Sequence, residues 1–273
     1  MKSFKMIISI LLLTFIILQT GCNKPTNSND NVTFDNIREI QEKGFFKDSN
    51  NKIFNGYITS DNFEVFYDKN NSLDVIYAKS IIKELDNNYD RILDFFSLKD
   101  DSLSKFKIYL YSSYDEFRMS VFKEIAFDVD DMGGAGGYTL GPNKLYLMYE
   151  NNKYITMTAV HEFVHCITYN FNYSDMIPNW LFEGLAMYLS QDKDRYIDSY
   201  KEFAEVGLPS YYKLNDYSDR YIYGYSLVEY IDKEFGRDKL LELLKNSDIE
   251  KVLKVSEEDF REGWRIYISQ KVN

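Results

Sequence analysis

The two histidines of the chain both lie in the run His161-Glu162-Phe163-Val164-His165. Residues four apart on a helix lie one above the other on the same face, so a helix here places both imidazoles side by side. Two imidazoles in this arrangement can bind one zinc ion, with the intervening glutamate beside it. The flanking residues are uncharged, as a helix in the middle of a domain requires. The run therefore predicts a buried helix with a metal-binding face; the alternative, an ordinary buried helix, leaves Glu162 unexplained.

A hydrolytic zinc site needs a third protein ligand and an open fourth position. The candidate is Glu183, which lies on the next predicted helix among Trp180, Leu185 and other apolar residues. A lone carboxylate in apolar surroundings needs a partner, and a metal ion would serve. Turn-forming residues up to Pro178 separate the two segments, so antiparallel helices can bring Glu183 over the histidine face. The alternative is a solvated helix glutamate.

Composition excludes several classes of protein. Acidic residues outnumber basic ones by 43 to 32, which gives a net charge of −11. A nucleic-acid-binding protein shows the opposite balance, so no nucleic-acid partner is expected. Two cysteines in 273 residues are too few for a disulfide-stapled scaffold or a cysteine-rich zinc or iron–sulfur protein. With 45% hydrophobic residues, the chain is long enough to fold as one large domain or two small ones.

The N-terminus has the features of a secretory signal. Two lysines precede a short apolar run over residues 6–18, and the sequence L-Q-T-G-C follows at residues 18–22. This ending resembles a bacterial lipoprotein signal, in which the cysteine becomes lipidated, although Gln19 occupies a position that is usually aliphatic. We predict a signal peptide over residues 1–21, lipidation at Cys22 and a flexible Asn-rich tether over residues 22–33. The alternatives are an ordinary signal peptide or an uncleaved anchor.

Hydrophobic periodicity predicts most of the secondary structure. Apolar residues recur every three or four positions over residues 71–96, which predicts a long helix with Asn71 or Ser72 as its N-cap. We also predict a short helix over residues 32–46. Further helices are predicted over residues 113–122, 153–170, 178–190, 194–205, 220–235, 239–244 and 256–270, and strands over residues 63–68 and 106–111.

A glycine-rich segment over residues 132–139 precedes a turn signal at Gly141-Pro142-Asn143. The segment lacks the Gly-Lys-Ser/Thr sequence of a phosphate-binding loop and does not lie between a strand and a helix, so no nucleotide is expected. Extended segments at 138–140 and 145–149 flank the turn and predict a β-hairpin.

The order of these elements predicts an α+β fold. Strands and helices are mixed in an N-terminal α/β subdomain over residues 34–152, and a helical subdomain over residues 153–273 carries the candidate zinc site. Cys166 is expected to lie buried beside that site.

Residues 180–186 read W-L-F-E-G-L-A, which is similar to the W-L-x-E-G-x-A segment of aminopeptidase-like enzymes. Together with the HExxH run, this segment resembles the gluzincin zinc metallopeptidases of the peptidase MA-like superfamily. The resemblance covers about residues 134–236. It implies a zincin-like fold of the thermolysin or aminopeptidase catalytic-domain type, with one Zn²⁺ per chain held by His161, His165 and Glu183.

The resemblance also implies Glu162 as the general base and a cleft-edge strand that pairs with extended substrate, at residues 138–139 or 145–149. Related enzymes place a tyrosine or histidine downstream to stabilise the oxyanion. No histidine remains here, so Tyr223 is the candidate, with Tyr225 and Tyr221 in reserve. The chain has 24 tyrosines, so a tyrosine near the site can also be there by chance.

Two departures from the resemblance matter. Thermolysin-like enzymes have an aspartate four residues after the third ligand, where this chain has Met187. The group that orients the zinc ligands must therefore differ, and Thr158 or a backbone carbonyl is the candidate. The glycine-rich exopeptidase signature is also missing, so we expect an endopeptidase.

The function implied is a zinc-dependent peptidase that is anchored by its N-terminal lipid to the extracellular face of a bacterial membrane, or secreted if Cys22 is not lipidated. Its partners would be a peptide or protein substrate and the membrane, without nucleic acid or nucleotide. The alternative is a catalytically inactive zincin-fold surface lipoprotein that binds peptide or protein. A third possibility is a non-enzymatic helical lipoprotein in which the run arose by chance.

Overall fold

The computed structural model describes residues 46–48, 51–125, 136–150, 152–171, 177–191, 199–209, 214 and 217–272. All of them belong to one compact unit, residues 36–273. The predicted signal peptide, the tether and Cys22 lie outside the described residues, as do the glycine-rich positions 132–135. The helix predicted over residues 32–46 also lies outside them, except for Phe46, which is in a strand.

Most of the strands lie in the first half of the described chain. They are β1 (Phe46–Lys47), β2 (Ile53–Phe54), β3 (Gly56–Thr59), β4 (Phe63–Tyr67), β5 (Phe106–Tyr111), β6 (Gly137–Leu140) and β7 (Lys144–Met148).

Helices dominate the second half. They are α1 (Ser72–Phe96), α2 (Tyr114–Ile125), α3 (Ile155–Asn170), α4 (Asn179–Leu189), α5 (Tyr200–Val206), α6 (Tyr217–Glu234), α7 (Arg237–Lys245), α8 (Ile249–Leu253) and α9 (Glu257–Lys271), with a short 3₁₀ helix at Asp100–Ser102.

Five strands form one mixed sheet in the order β3-β4-β5-β7-β6. The central strands β4, β5 and β7 are parallel, whereas β3 and β6 pair antiparallel at the two edges. The fold is therefore α+β, as the sequence predicts, and the hairpin predicted across Gly141 is confirmed as β6–β7. Strands β1 to β3 and helix α8 were not predicted, because two to five residues carry too little periodicity to detect.

Helices α1 and α3 cover one face of the sheet. Helix α1 has Asn71 as its N-cap, one of the two residues predicted for this role, and the Asn71 side chain accepts a hydrogen bond from the Leu73 backbone N–H. Phe163 of α3 packs against Phe63 and Phe106 of the sheet, with ring centroids 5.1 and 4.9 Å apart. This contact fixes the face of α3 opposite the sheet, and that face carries the candidate ligands.

The other face of the sheet carries a row of stacked aromatic rings. Tyr57, Phe66, Tyr109 and Tyr146 are directly paired across β3, β4, β5 and β7. Their consecutive centroids are 5.3, 5.2 and 5.2 Å apart, and the ring planes are inclined by 21–31°. Because the ring faces are turned toward one another, the row stabilises the sheet from strand to strand.

Helix α4 lies against α6 with glycine on both sides of the crossing. A Cβ atom on Gly224 would lie 2.8 Å from the Trp180 carbonyl oxygen and 2.9 Å from the Gly184 Cα. Such distances are too short for any side chain, so only glycine allows the two backbones to approach this closely. Gly184 directly follows Glu183, and the crossing therefore fixes the helix turn that carries the third candidate ligand.

We predict that Gly224→Ala destabilises the protein by about 1–3 kcal/mol, because the added methyl group meets rigid backbone of α4. The measurement is the free energy of unfolding from urea denaturation. Gly136→Ala is the control, since a Cβ there would meet only the end of the partly exposed Asn152 side chain at 2.8 Å, and no backbone atom closer than 3.9 Å. An equal loss of stability in both variants would contradict this view of the crossing.

Candidate metal centre

Helix α3 brings the two histidines together. The Nε2 atoms of His161 and His165 lie 3.1 Å apart, and the two rings are nearly perpendicular. His165 is only 5% exposed, whereas His161 lies nearer the surface. Helix α3 contacts α1, α4 and strands β6 and β7, and its histidine face is partly buried by these elements.

Helix α4 supplies the carboxylate. Glu183 Oε2 lies 3.3 Å from His161 Nε2 and 3.4 Å from His165 Nε2. Tetrahedral ligands at about 2.0–2.2 Å from a zinc ion lie roughly 3.3–3.6 Å from one another. The two carboxylate–imidazole distances lie in that range and the imidazole–imidazole distance of 3.1 Å is slightly shorter; two imidazoles with one carboxylate are a donor set that zinc accepts. These three residues can therefore hold a metal ion.

The charge of Glu183 depends on the histidines. Burial alone would raise the pKa of this carboxyl group, but His165 and His161 oppose that effect and hold the pKa well below its usual value. The carboxylate is therefore ionised across the whole physiological pH range. An ionised oxygen beside two imidazole nitrogens is the arrangement that metal coordination requires.

Glu162 lies on the same helix, buried beneath strand β6 and only 7% exposed. Burial raises the pKa of its carboxyl group to about 7; the charge of His161 and a hydrogen bond from Thr139 oppose the rise, and Glu183 adds to it. The group thus changes protonation state near neutral pH. A carboxyl group of this kind can both accept and return a proton.

The orientation of His165 has a different basis from the one expected. Its Nδ1 atom is buried and has no hydrogen-bond partner among the described residues. The Thr158 hydroxyl, which with a backbone carbonyl was one of two candidates for orienting the ligands, donates to the carbonyl oxygen of Tyr154, the N-cap of the same helix. The ring of Phe182 stacks on the His165 imidazole, with centroids 4.2 Å apart and planes inclined by 14°. Stacking therefore restrains this ring where a hydrogen bond would be usual.

Strand β6 is the edge strand beside the centre. It lies at the end of the sheet and contacts Glu162, whereas β7 is paired on both sides. Of the two segments predicted to form the cleft edge, the one at residues 138–139 therefore occupies an edge.

Cys166 of α3 is buried, as expected, and burial raises the pKa of its thiol well above the usual value. Its Sγ atom approaches the Lys144 carbonyl oxygen.

The candidate tyrosines all lie on α6. The Tyr223 ring is half-buried and packs against Phe203 and Trp264, with centroids 4.5 and 6.0 Å apart. Tyr225 is buried against Tyr188, and the Arg220 guanidinium lies over the Tyr221 ring. The oxyanion role of Tyr223 stays a prediction.

Comparison with the profiles of known protein families finds no match to this chain, and a comparison with curated proteins finds none either. None of the helices in the described part of the chain is long and apolar enough to cross a membrane.

We predict that the stability of the metal-free protein relative to its Glu162→Gln variant falls as pH rises. The folded-state pKa of Glu162 is about 7 and its usual value is 4.5. Folding therefore favours the protonated form, and this contribution is lost between about pH 4.5 and 7, by up to roughly 3 kcal/mol. Urea denaturation in EDTA from pH 4.5 to 8 measures it.

Gln270→Ala is the control, because this exposed residue of α9 carries no ionisable group and its stability difference from the wild type should stay constant with pH. A pH-independent difference for Glu162→Gln as well would contradict the raised pKa of Glu162.

Proposed function

We propose that this chain is a zinc-dependent peptidase of zincin-like fold, in which His161, His165 and Glu183 hold one Zn²⁺. The observation that carries the proposal is the convergence of three ligand atoms, 3.1–3.4 Å apart, next to the buried carboxyl group of Glu162. Two imidazoles and a carboxylate leave one position of a tetrahedral ion for water. A proton acceptor beside that position is what hydrolysis needs.

The roles of the residues follow from their chemistry. When bound, zinc acts as a Lewis acid that lowers the pKa of water towards about 7 and polarises the scissile carbonyl group. Glu162 accepts the proton of the attacking water and passes it to the leaving amine nitrogen. Its raised pKa of about 7 suits both halves of this exchange at neutral pH.

The proposed substrate is a peptide or protein in extended conformation, cleaved internally. The support is the position of β6 at the edge of the sheet, where an extended chain can add as a further strand. The N-terminal sequence supports secretion and a lipid anchor at Cys22, which would hold the enzyme on the outer face of a bacterial membrane.

The main test is Glu162→Gln, which removes the proton acceptor but keeps the shape of the side chain. We expect it to retain one zinc ion per chain and to lose peptide hydrolysis by about 10²–10⁴-fold. Metal analysis and digestion of a peptide library measure the two effects. Glu258→Gln, on an exposed helix surface, is the matched control and should keep full activity.

The outcomes separate the alternatives. Wild-type protein that holds zinc and cleaves no peptide would favour the inactive surface lipoprotein that binds peptide or protein. Wild-type protein that holds no metal ion would overturn the zinc proposal altogether. Equal activity of Glu162→Gln and the wild type would overturn the mechanism.

Tyr223→Phe tests the proposed oxyanion donor. The variant removes only the hydroxyl group, so the ring contacts with Phe203 and Trp264 remain. Loss of an oxyanion donor costs about 10²–10³-fold in kcat with little change in KM. Tyr221→Phe and Tyr225→Phe are measured in parallel, and undiminished kcat in Tyr223→Phe would reassign or remove the role.

A further inference from the structure

Thr139, in edge strand β6, is joined to Glu162 across the interface between sheet and helix. Its side chain is buried and lies on the face of the strand that contacts α3. The hydroxyl oxygen lies 2.7 Å from Glu162 Oε2 and 2.8 Å from the Glu162 backbone carbonyl oxygen. One side chain therefore contacts both the backbone and the carboxyl group of the same residue.

A hydroxyl group carries one proton and two lone pairs. When the Glu162 carboxyl group is ionised, the Thr139 hydroxyl donates to Oε2; when Oε1 carries the proton, Oε2 keeps its lone pairs and accepts the same hydrogen bond. The contact is thus compatible with both states of the carboxyl group. In each state Oε2 is the oxygen engaged by Thr139.

Gly137 lies on the other side of the same carboxyl group. A Cβ atom at Gly137 would lie 2.8 Å from both Cγ and Oε1 of Glu162. Glycine therefore leaves the space that the Glu162 side chain occupies. Because Gly137 and Thr139 are two residues apart on a strand, they lie on the same face of β6, which is the face turned towards Glu162 of α3.

We propose that Thr139 is a positioning residue, which holds Oε2 of Glu162 and leaves Oε1 to exchange the proton with water and the leaving amine. This inference rests on the proposed peptidase function. A reactant held in place by fixed neighbours reacts faster than one that samples several rotamers. The hydroxyl group of Thr139 should therefore contribute to kcat rather than to substrate binding.

Two variants separate the hydroxyl group from the shape of the side chain. Thr139→Val removes the hydroxyl and keeps the branched shape, whereas Thr139→Ser keeps the hydroxyl. Thr168→Val is the matched control, because Thr168 is a buried threonine of α3 whose hydroxyl donates to the Val164 carbonyl oxygen at 2.9 Å and, among the described residues, has no carboxylate partner.

We expect Thr139→Val to lower kcat by about 10–100-fold, with KM within twofold and one zinc ion retained per chain. Thr139→Ser should stay within about threefold of the wild type, and so should Thr168→Val. Peptide hydrolysis under saturating and limiting substrate, together with metal analysis, gives these values.

A second measurement needs neither metal nor activity. In EDTA, a double-mutant cycle of Thr139→Val and Glu162→Gln should be non-additive, with a coupling of about fivefold or more in the unfolding equilibrium constant. The cycle of Thr168→Val with Glu162→Gln should be additive.

The inference is overturned if Thr139→Val keeps wild-type kcat, or if Thr139→Ser is impaired as strongly as Thr139→Val, since packing rather than the hydroxyl would then be responsible. An additive cycle would show that the contact does not exist in solution and overturns it as well. A wild-type protein without peptidase activity, but with a coupled cycle, instead overturns the proposed function, and the catalytic role of Thr139 with it.

Discussion

The burial of helix α3 is the constraint on which the centre depends. Phe163 packs against the sheet on one side, so the polar residues His165 and Glu162 are drawn into the protein interior. Buried polar groups are costly unless they have partners. Those partners come from other elements: Glu183 from α4 and Thr139 from β6. The centre is therefore assembled by the same packing that forms the core.

The position of α4 follows from its own packing. Gly184 and Gly224 allow the backbones of α4 and α6 to touch, and residues beside Gly184 are turned towards α3. The Glu183 carboxylate therefore lies beside the imidazole nitrogens of the two histidines, and the Phe182 ring stacks on His165. A side chain at either glycine would push α4 away from α6 and change the geometry of a carboxylate that two histidines hold ionised.

Sequence reasoning was strongest where the signal is local. The spacing of the two histidines and the periodicity of residues 71–96 predict helices whose observed bounds, in α3 and α1, differ little. Thr139 was not predicted as a partner of Glu162, because that contact depends on the β6–β7 register and on the packing of α3 against the sheet. The stacking of Phe182 on His165 was missed for the same reason, although an aromatic residue beside the third candidate ligand was visible in the sequence.

Strand β6 borders the candidate centre with both its inner face and its outer edge. On the side facing α3, Gly137 leaves room for the Glu162 side chain and Thr139 contacts its carboxyl group. Along its outer edge, the backbone groups of an edge strand can pair with an extended peptide. In the proposed enzyme, one strand would then align the substrate and the proton acceptor. Because β6 is held by its antiparallel pairing with β7, both alignments depend on that register, and a shift of one residue would turn Thr139 away from α3.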